Sequence, residues 1–98
     1  MRRIIWASKA RNDFREILAF VAERDVPASR LVRGRIREAI VRLSQIPIGR
    51  PARVDGYFEK SVTGAPYIIA YSLTDKTLSI IRIIHQRRDW PDDDWPQG

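Results

Sequence analysis

The spacing of apolar residues changes along the chain and divides it into a helical half and a strand half. Residues 3–6 form a short β-prone run that ends at Trp6. From Ser8, which stands where a helix N-cap belongs, Ala10, Phe14, Ile17, Leu18 and Val21 recur at intervals of three and four. Lys9, Arg11, Asp13, Arg15, Glu16 and Glu23 fall off that stripe. The pattern predicts one amphipathic helix over residues 8–25, broken at Val26-Pro27. Pro27 suits the first turn of a second helix reaching about Gln45, with Ala28, Leu31, Val32, Ile36, Ala39, Ile40 and Leu43 on its apolar side. The two helices are predicted to pack as an antiparallel hairpin.

Pro47, Gly49, Pro51 and Gly56 crowd the next segment, which reads as an ordered but irregular loop carrying Arg50 and Arg53. Beyond it the pattern is that of strands, over residues 57–62, 67–73 and 77–85, joined by turns at Thr63-Gly64-Ala65-Pro66 and Thr74-Asp75-Lys76. The run at 3–6 is too short to stand alone and is predicted to join an edge of this meander. The fold class is therefore α+β: an N-terminal strand and an antiparallel helix hairpin packed on a small antiparallel sheet. In the last strand both parities are apolar, Leu78, Ile80 and Ile84 with Arg82 on one, Ile81 and Ile83 with His85 on the other. This predicts that both sheet faces are at least partly covered, the second by a partner chain. A guanidinium in such a strand needs a partner or water; Arg82 is expected either to serve a function or to pair with Glu59.

Composition narrows the function classes. The 98 residues suffice for one domain with one core, set at residues 1–91, followed by an acidic flexible tail at 92–98. The net charge of +6 conceals an asymmetry: residues 1–88 carry 18 basic and 8 acidic side chains, a net of +10, and 15 of the 18 are arginine. That surface suits a polyanionic partner, nucleic acid or an acidic protein, although each arginine taken singly is equally explained as a solvated side chain. With no cysteine and a single histidine, disulfides, thiolate nucleophiles and Cys-ligated zinc are excluded, and neither a metal nor a cofactor is expected. No run approaches a membrane span, and the N-terminus lacks the apolar stretch of a secretory signal, so the cytoplasm is the expected location.

Several blocks together resemble the ParE branch of the RelE/ParE toxin superfamily of bacterial toxin–antitoxin modules. The blocks are Trp6, Ala10 and Asp13; Leu43 to Pro47 with Gly49-Arg50; Glu59; Pro66-Tyr67-Ile68-Ile69-Ala70-Tyr71; and Ile83-Ile84-His85-Gln86-Arg87-Arg88-Asp89-Trp90-Pro91. The resemblance implies a toxin neutralised by a co-encoded antitoxin, whose acidic C-terminal segment wraps the toxin and whose N-terminal part binds operator DNA. Operator DNA is thus met only through the antitoxin, and the membrane not at all. ParE-like members are described as inhibitors of DNA gyrase, RelE-like members as ribosome-dependent mRNA endonucleases.

The residues bear on that choice. Cleavage through a 2'-hydroxyl needs a base, an acid and cations at the phosphorane. The nuclease candidates are Glu59, Arg82, His85 and Arg88. In a regular strand, however, Arg82 and His85 point to opposite faces, which only a bulge would remedy. Many mRNA-cleaving relatives also carry a C-terminal tyrosine, and here none follows Tyr71. The favoured reading is a non-enzymatic gyrase-binding toxin. Its target surface is placed at Arg82, His85, Arg87, Arg88 and Trp90, and its antitoxin surface at Arg33, Arg37, Arg53, Tyr71 and Arg82. Each of these also has an ordinary structural reading, as a strand-end histidine, a packing tyrosine with an exposed hydroxyl or a pinning tryptophan. The alternatives are a RelE-like mRNA endonuclease and a degenerate, non-toxic antitoxin-binding member. The last is suggested by Phe58, which stands before Glu59 where ParE-like chains usually have arginine.

Overall fold

The computed structural model describes residues 1–52 and 54–87. In chain order the elements are β1 (Arg3–Trp6), α1 (Ser8–Ala22), α2 (Val26–Gln45), β2 (Arg50–Pro51), β3 (Phe58–Ser61), β4 (Tyr67–Leu73) and β5 (Thr77–His85). The five strands form one sheet in the order β1-β5-β4-β3-β2. Its ladders are antiparallel except that β1 runs parallel to β5, from Arg3 opposite Thr77 to Trp6 opposite Ile80. The expected α+β architecture, with the N-terminal strand on a sheet edge, is the one observed.

Local departures from expectation have identifiable causes. Ala7, not Ser8, is the N-cap of α1, extended at φ −67° and ψ 152° with no side-chain cap. Its N–H still donates to the Ile80 carbonyl at 2.9 Å, so the sheet holds the chain one residue longer than capping preference suggests. At the other end α1 stops at Ala22 because Asp25 is taken as the N-cap of α2: it is extended, and its carboxylate accepts the Ala28 N–H at 3.0 Å. Pro27 does occupy the first turn of α2. The buried Ser29 hydroxyl donates to the Leu18 carbonyl at 2.9 Å and ties the two helices together. The loop after α2 contains an unexpected two-residue edge strand, Arg50 opposite Glu59 and Pro51 opposite Phe58, where an edge proline leaves no ladder donor missing inside the sheet.

The helices cover one sheet face. Ala10, Ile36, Ile40 and Leu43 meet Tyr67, Ile69, Tyr71, Leu78, Ile80 and Ile83 in one buried cluster, and each large side chain removed from water there contributes about 1.5–3 kcal/mol. On the far face a smaller cluster, Ile68, Ala70 and Ile84, is covered by Ala52 and Val54.

A bulge explains why β5 is apolar on both parities. Ala70 faces Arg82 and the next residue, Tyr71, faces Ile80, so Ile81 is the extra residue. The parity of β5 flips at that point: Leu78, Ile80 and Ile83 all look toward the helices, while Ser79, Arg82 and Ile84 share the far face. Much of the apparent second apolar face is a register change, and what remains is covered by the chain itself. The expectation that a partner supplies the second cover is corrected accordingly.

Candidate functional site

Arg82 is at the centre of a closely held polar group between α1 and β5. Its Nε donates to Asp13 Oδ2 at 2.8 Å and its Nη2 to Asp13 Oδ1 at 3.1 Å, a two-point guanidinium–carboxylate pair. The Ile83 N–H also donates to Asp13 Oδ2, at 3.0 Å. The cause is topological: the β1–β5 pairing ends at Trp6 and Ile80 as the chain turns into α1, and past that point the edge of β5 needs another acceptor. Asp13, one turn and a half into α1, supplies it. The expected Arg82–Glu59 pair is not formed; Glu59, itself buried, accepts from Arg50 Nε at 2.9 Å.

The register gives the positions of the nuclease candidates. Glu59 lies opposite Ala70 and Ala70 opposite Arg82, so acid and arginine share a face, separated by two strand spacings of roughly 10 Å. His85 lies opposite Tyr67, on the helix side. The bulge at Ile81 precedes Arg82, and the spacing from Arg82 to His85 stays regular, so their opposition persists. His85 meets Tyr67 edge-on with ring centroids 5.4 Å apart, and its Nδ1 accepts the Arg87 N–H at 3.1 Å. Among the described residues Glu59, Arg82 and His85 therefore do not converge on one point, and Arg87 is exposed at the end of the sheet. Arg53, Arg88, Trp90 and the tail at 92–98 lie outside the described residues.

Tyr71 differs from the expected packing residue with an exposed hydroxyl. It is fully buried, stacks on Phe58 at 5.7 Å, and its hydroxyl lies under the Gly49 backbone with no hydrogen-bond partner among the described residues. Burial raises the phenol pKa of both Tyr67 and Tyr71 above 10.0, since the phenolate is the form that loses hydration.

Arg33 and Arg37 lie on the exposed side of α2, four residues apart and thus on one face. Arg37 borders a groove of about 450 Å³ between β1, α1 and α2. Trp6 and Phe14, with ring centroids 5.3 Å apart, line its apolar part beside Ile40 and Val41, and Arg11 and Arg15 stand on its rim. Sequence reasoning missed this groove and missed Asp13 as the partner of Arg82. The i, i+4 spacing of Arg11 and Arg15 beside Phe14 was the available signal for the groove; nothing local signals a contact between residues 69 positions apart.

A family model described as the ParE toxin of the type II toxin–antitoxin system, parDE, matches residues 4–90. Among solved structures, the chromosomal ParDE TA system from P. aeruginosa matches with a TM-score of 0.79 at 24% identity, covering 87% of this chain and 96% of that one. The toxin–antitoxin complex RelBE2 from Mycobacterium tuberculosis matches with a TM-score of 0.57 at 22% identity, covering 86% and 90%. At these identities the likeness is one of fold. No curated protein matches the chain.

Proposed function

The chain belongs to the ParE family of type II toxin–antitoxin toxins, and from that premise we propose that it acts in the cytoplasm by binding DNA gyrase and is held inactive by a co-encoded antitoxin. The observation that carries the binding reading over a nuclease is the dispersal of the proton-transfer candidates. Glu59 is bound to Arg50, Arg82 to Asp13, and His85 faces the other side of the sheet. A phosphoryl-transfer site needs those groups within reach of one phosphate. The exposed basic end of β5, with Arg87 and the sequence that follows it, is the target surface in this reading.

For the antitoxin, the groove bordered by Trp6, Phe14 and Val41, with Arg11, Arg15 and Arg37 on its rim, suits a segment that presents apolar and acidic side chains together. Arg33 extends the same basic face. Operator DNA enters only through the antitoxin.

The test is a topology assay with gyrase, supercoiled DNA, ATP and the purified full chain freed of antitoxin. Inhibited supercoiling or accumulated cleaved DNA, weakened by Arg87→Ala, supports the reading. A folded protein that captures its antitoxin but leaves gyrase untouched refutes the target. Cleavage of ribosome-bound mRNA by that same protein would replace it with the endonuclease reading.

A further inference from the structure

Beyond β2 the outer edge of β3 is open. The ladder sets Arg50 opposite Glu59, and its continuation would set Ile48 opposite Ser61 and Ile46 opposite Thr63. Instead the Ile48 N–H turns back to the Ile46 carbonyl at 2.8 Å, and both isoleucines stand out, each 63% exposed. A groove of about 400 Å³ separates that segment from β3 and from the C-terminal half of α2.

Three features of the groove point to one kind of occupant. The Val62 N–H donates to the Tyr67 carbonyl at 2.9 Å, so by the alternation of an antiparallel ladder Ser61 turns its own N–H and C=O outward, into the groove. Ile46, Ile48 and Leu43 supply apolar wall. The charged side chains are Arg35, Arg42 and Lys60 against Glu38 alone, and Glu38 is held by Arg42 at 3.3 Å. Arg35 reaches from α2 across Gly64, and its Nε is buried with no hydrogen-bond partner among the described residues. Lys60 is exposed and, among the described residues, in no ion pair. An extended peptide satisfies all three features. A phosphodiester strand satisfies only the last, having neither an N–H for the Ser61 carbonyl nor an apolar side chain for the isoleucines.

We infer that this groove takes an extended acidic segment of the neutralising partner as an added strand on β3, paired with Ser61, its carboxylates on Arg35 and Lys60 and its apolar side chains on Ile46 and Ile48. The inference rests on the reading that this chain has such a partner, and it places a second contact on the opposite side of α2 from the Arg37 groove.

The test titrates the ¹⁵N-labelled full chain with a nine-residue peptide of alternating valine and glutamate, with a scrambled peptide and an oligothymidylate of equal charge alongside. Binding is expected to shift the Ile48, Ser61 and Thr63 amides and to slow exchange of the Ser61 N–H. Arg35→Met should weaken it about tenfold, the worth of one charge-assisted hydrogen bond. Ser61→Pro removes an outward N–H without touching the β3–β4 ladder and should weaken it too, so the test survives if the Arg35 variant misfolds. The inference is overturned if about 1 mM peptide leaves those amides unmoved, if the shifts gather around Trp6 and Arg37, or if the oligothymidylate binds Ser61 more tightly. It is equally overturned if replacing Asp92, Asp93 and Asp94 by asparagine moves the same amides without peptide, because the tail is then the occupant. None of these readouts involves gyrase, so failure of the target leaves the inference standing.

Discussion

Replacing Asp13 by alanine is the sharpest probe of how Arg82 is used. The carboxylate accepts two hydrogen bonds from Arg82 and one from the Ile83 amide, and the two side chains are only 14% and 15% exposed. Removing one partner of a pair so sheltered strips the guanidinium of this two-point counter-charge, a loss of about 3–5 kcal/mol. That is a large share of the roughly 5–15 kcal/mol available to a domain of this size. At about 4–8 °C for each kcal/mol, the unfolding midpoint should fall by at least about 12 °C. Urea unfolding followed by circular dichroism measures the free-energy loss, and a thermal melt the midpoint. The companion variant, Asp13→Leu with Arg82→Met, removes both charges and should recover most of the loss, short of about 1–3 kcal/mol for the orphaned Ile83 amide. A loss below about 1 kcal/mol in Asp13→Ala would refute the reasoning, because the Asp13 pair would then contribute no more than an exposed ion pair.

Three further outcomes are expected. A Cβ at Gly49 would press on the Tyr71 hydroxyl and lie 2.8 Å from the Glu59 carbonyl oxygen, so Gly49→Ala should destabilise by about 1–3 kcal/mol in the same urea assay. Because burial holds Tyr67 and Tyr71 above 10.0 in the fold, the unfolded chain ionises first; stability intact below about pH 10 should be lost as pH rises through the folded values. Tyr71→Phe should flatten that decline and, by removing an unpartnered hydroxyl, raise neutral-pH stability by about 1 kcal/mol. Arg50→Ala leaves the nearly buried Glu59 carboxylate without this donor, and a loss of about 1–2 kcal/mol is expected, discounted because Arg50 itself is 73% exposed.

The local elements were legible because each rests on short-range chemistry. The three-and-four spacing of Ala10, Phe14 and Ile17, the Pro27 start of α2 and the Thr74 turn all announce themselves within a few residues. The Thr74 hydroxyl accepts the Thr77 N–H at 2.9 Å, which closes the turn where the sequence places it. The β4 and β5 bounds, Tyr67–Leu73 and Thr77–His85, coincide with the predicted runs. Two of the blocks that carry the family resemblance, Tyr67 to Tyr71 and Ile83 to His85, lie in these strands, and the family match over residues 4–90 spans them.

The candidate site was legible in kind but not in arrangement. Arginines and a strand-end histidine can be counted in a sequence. Which of them are already bound to a neighbour depends on contacts such as Asp13 with Arg82, which no window of the chain contains. The bulge at Ile81 is of the same nature: the apolar run in β5 reads as two buried faces until the β4 register shows one face shifted by a residue. Sequence alone determined the helices, the meander and the excess of positive charge, because propensity and periodicity act over a few residues. Tertiary structure decided which charges pair, where the parity of β5 flips and which edge of the sheet stays open, because those follow from the register of strands and helices distant in the chain.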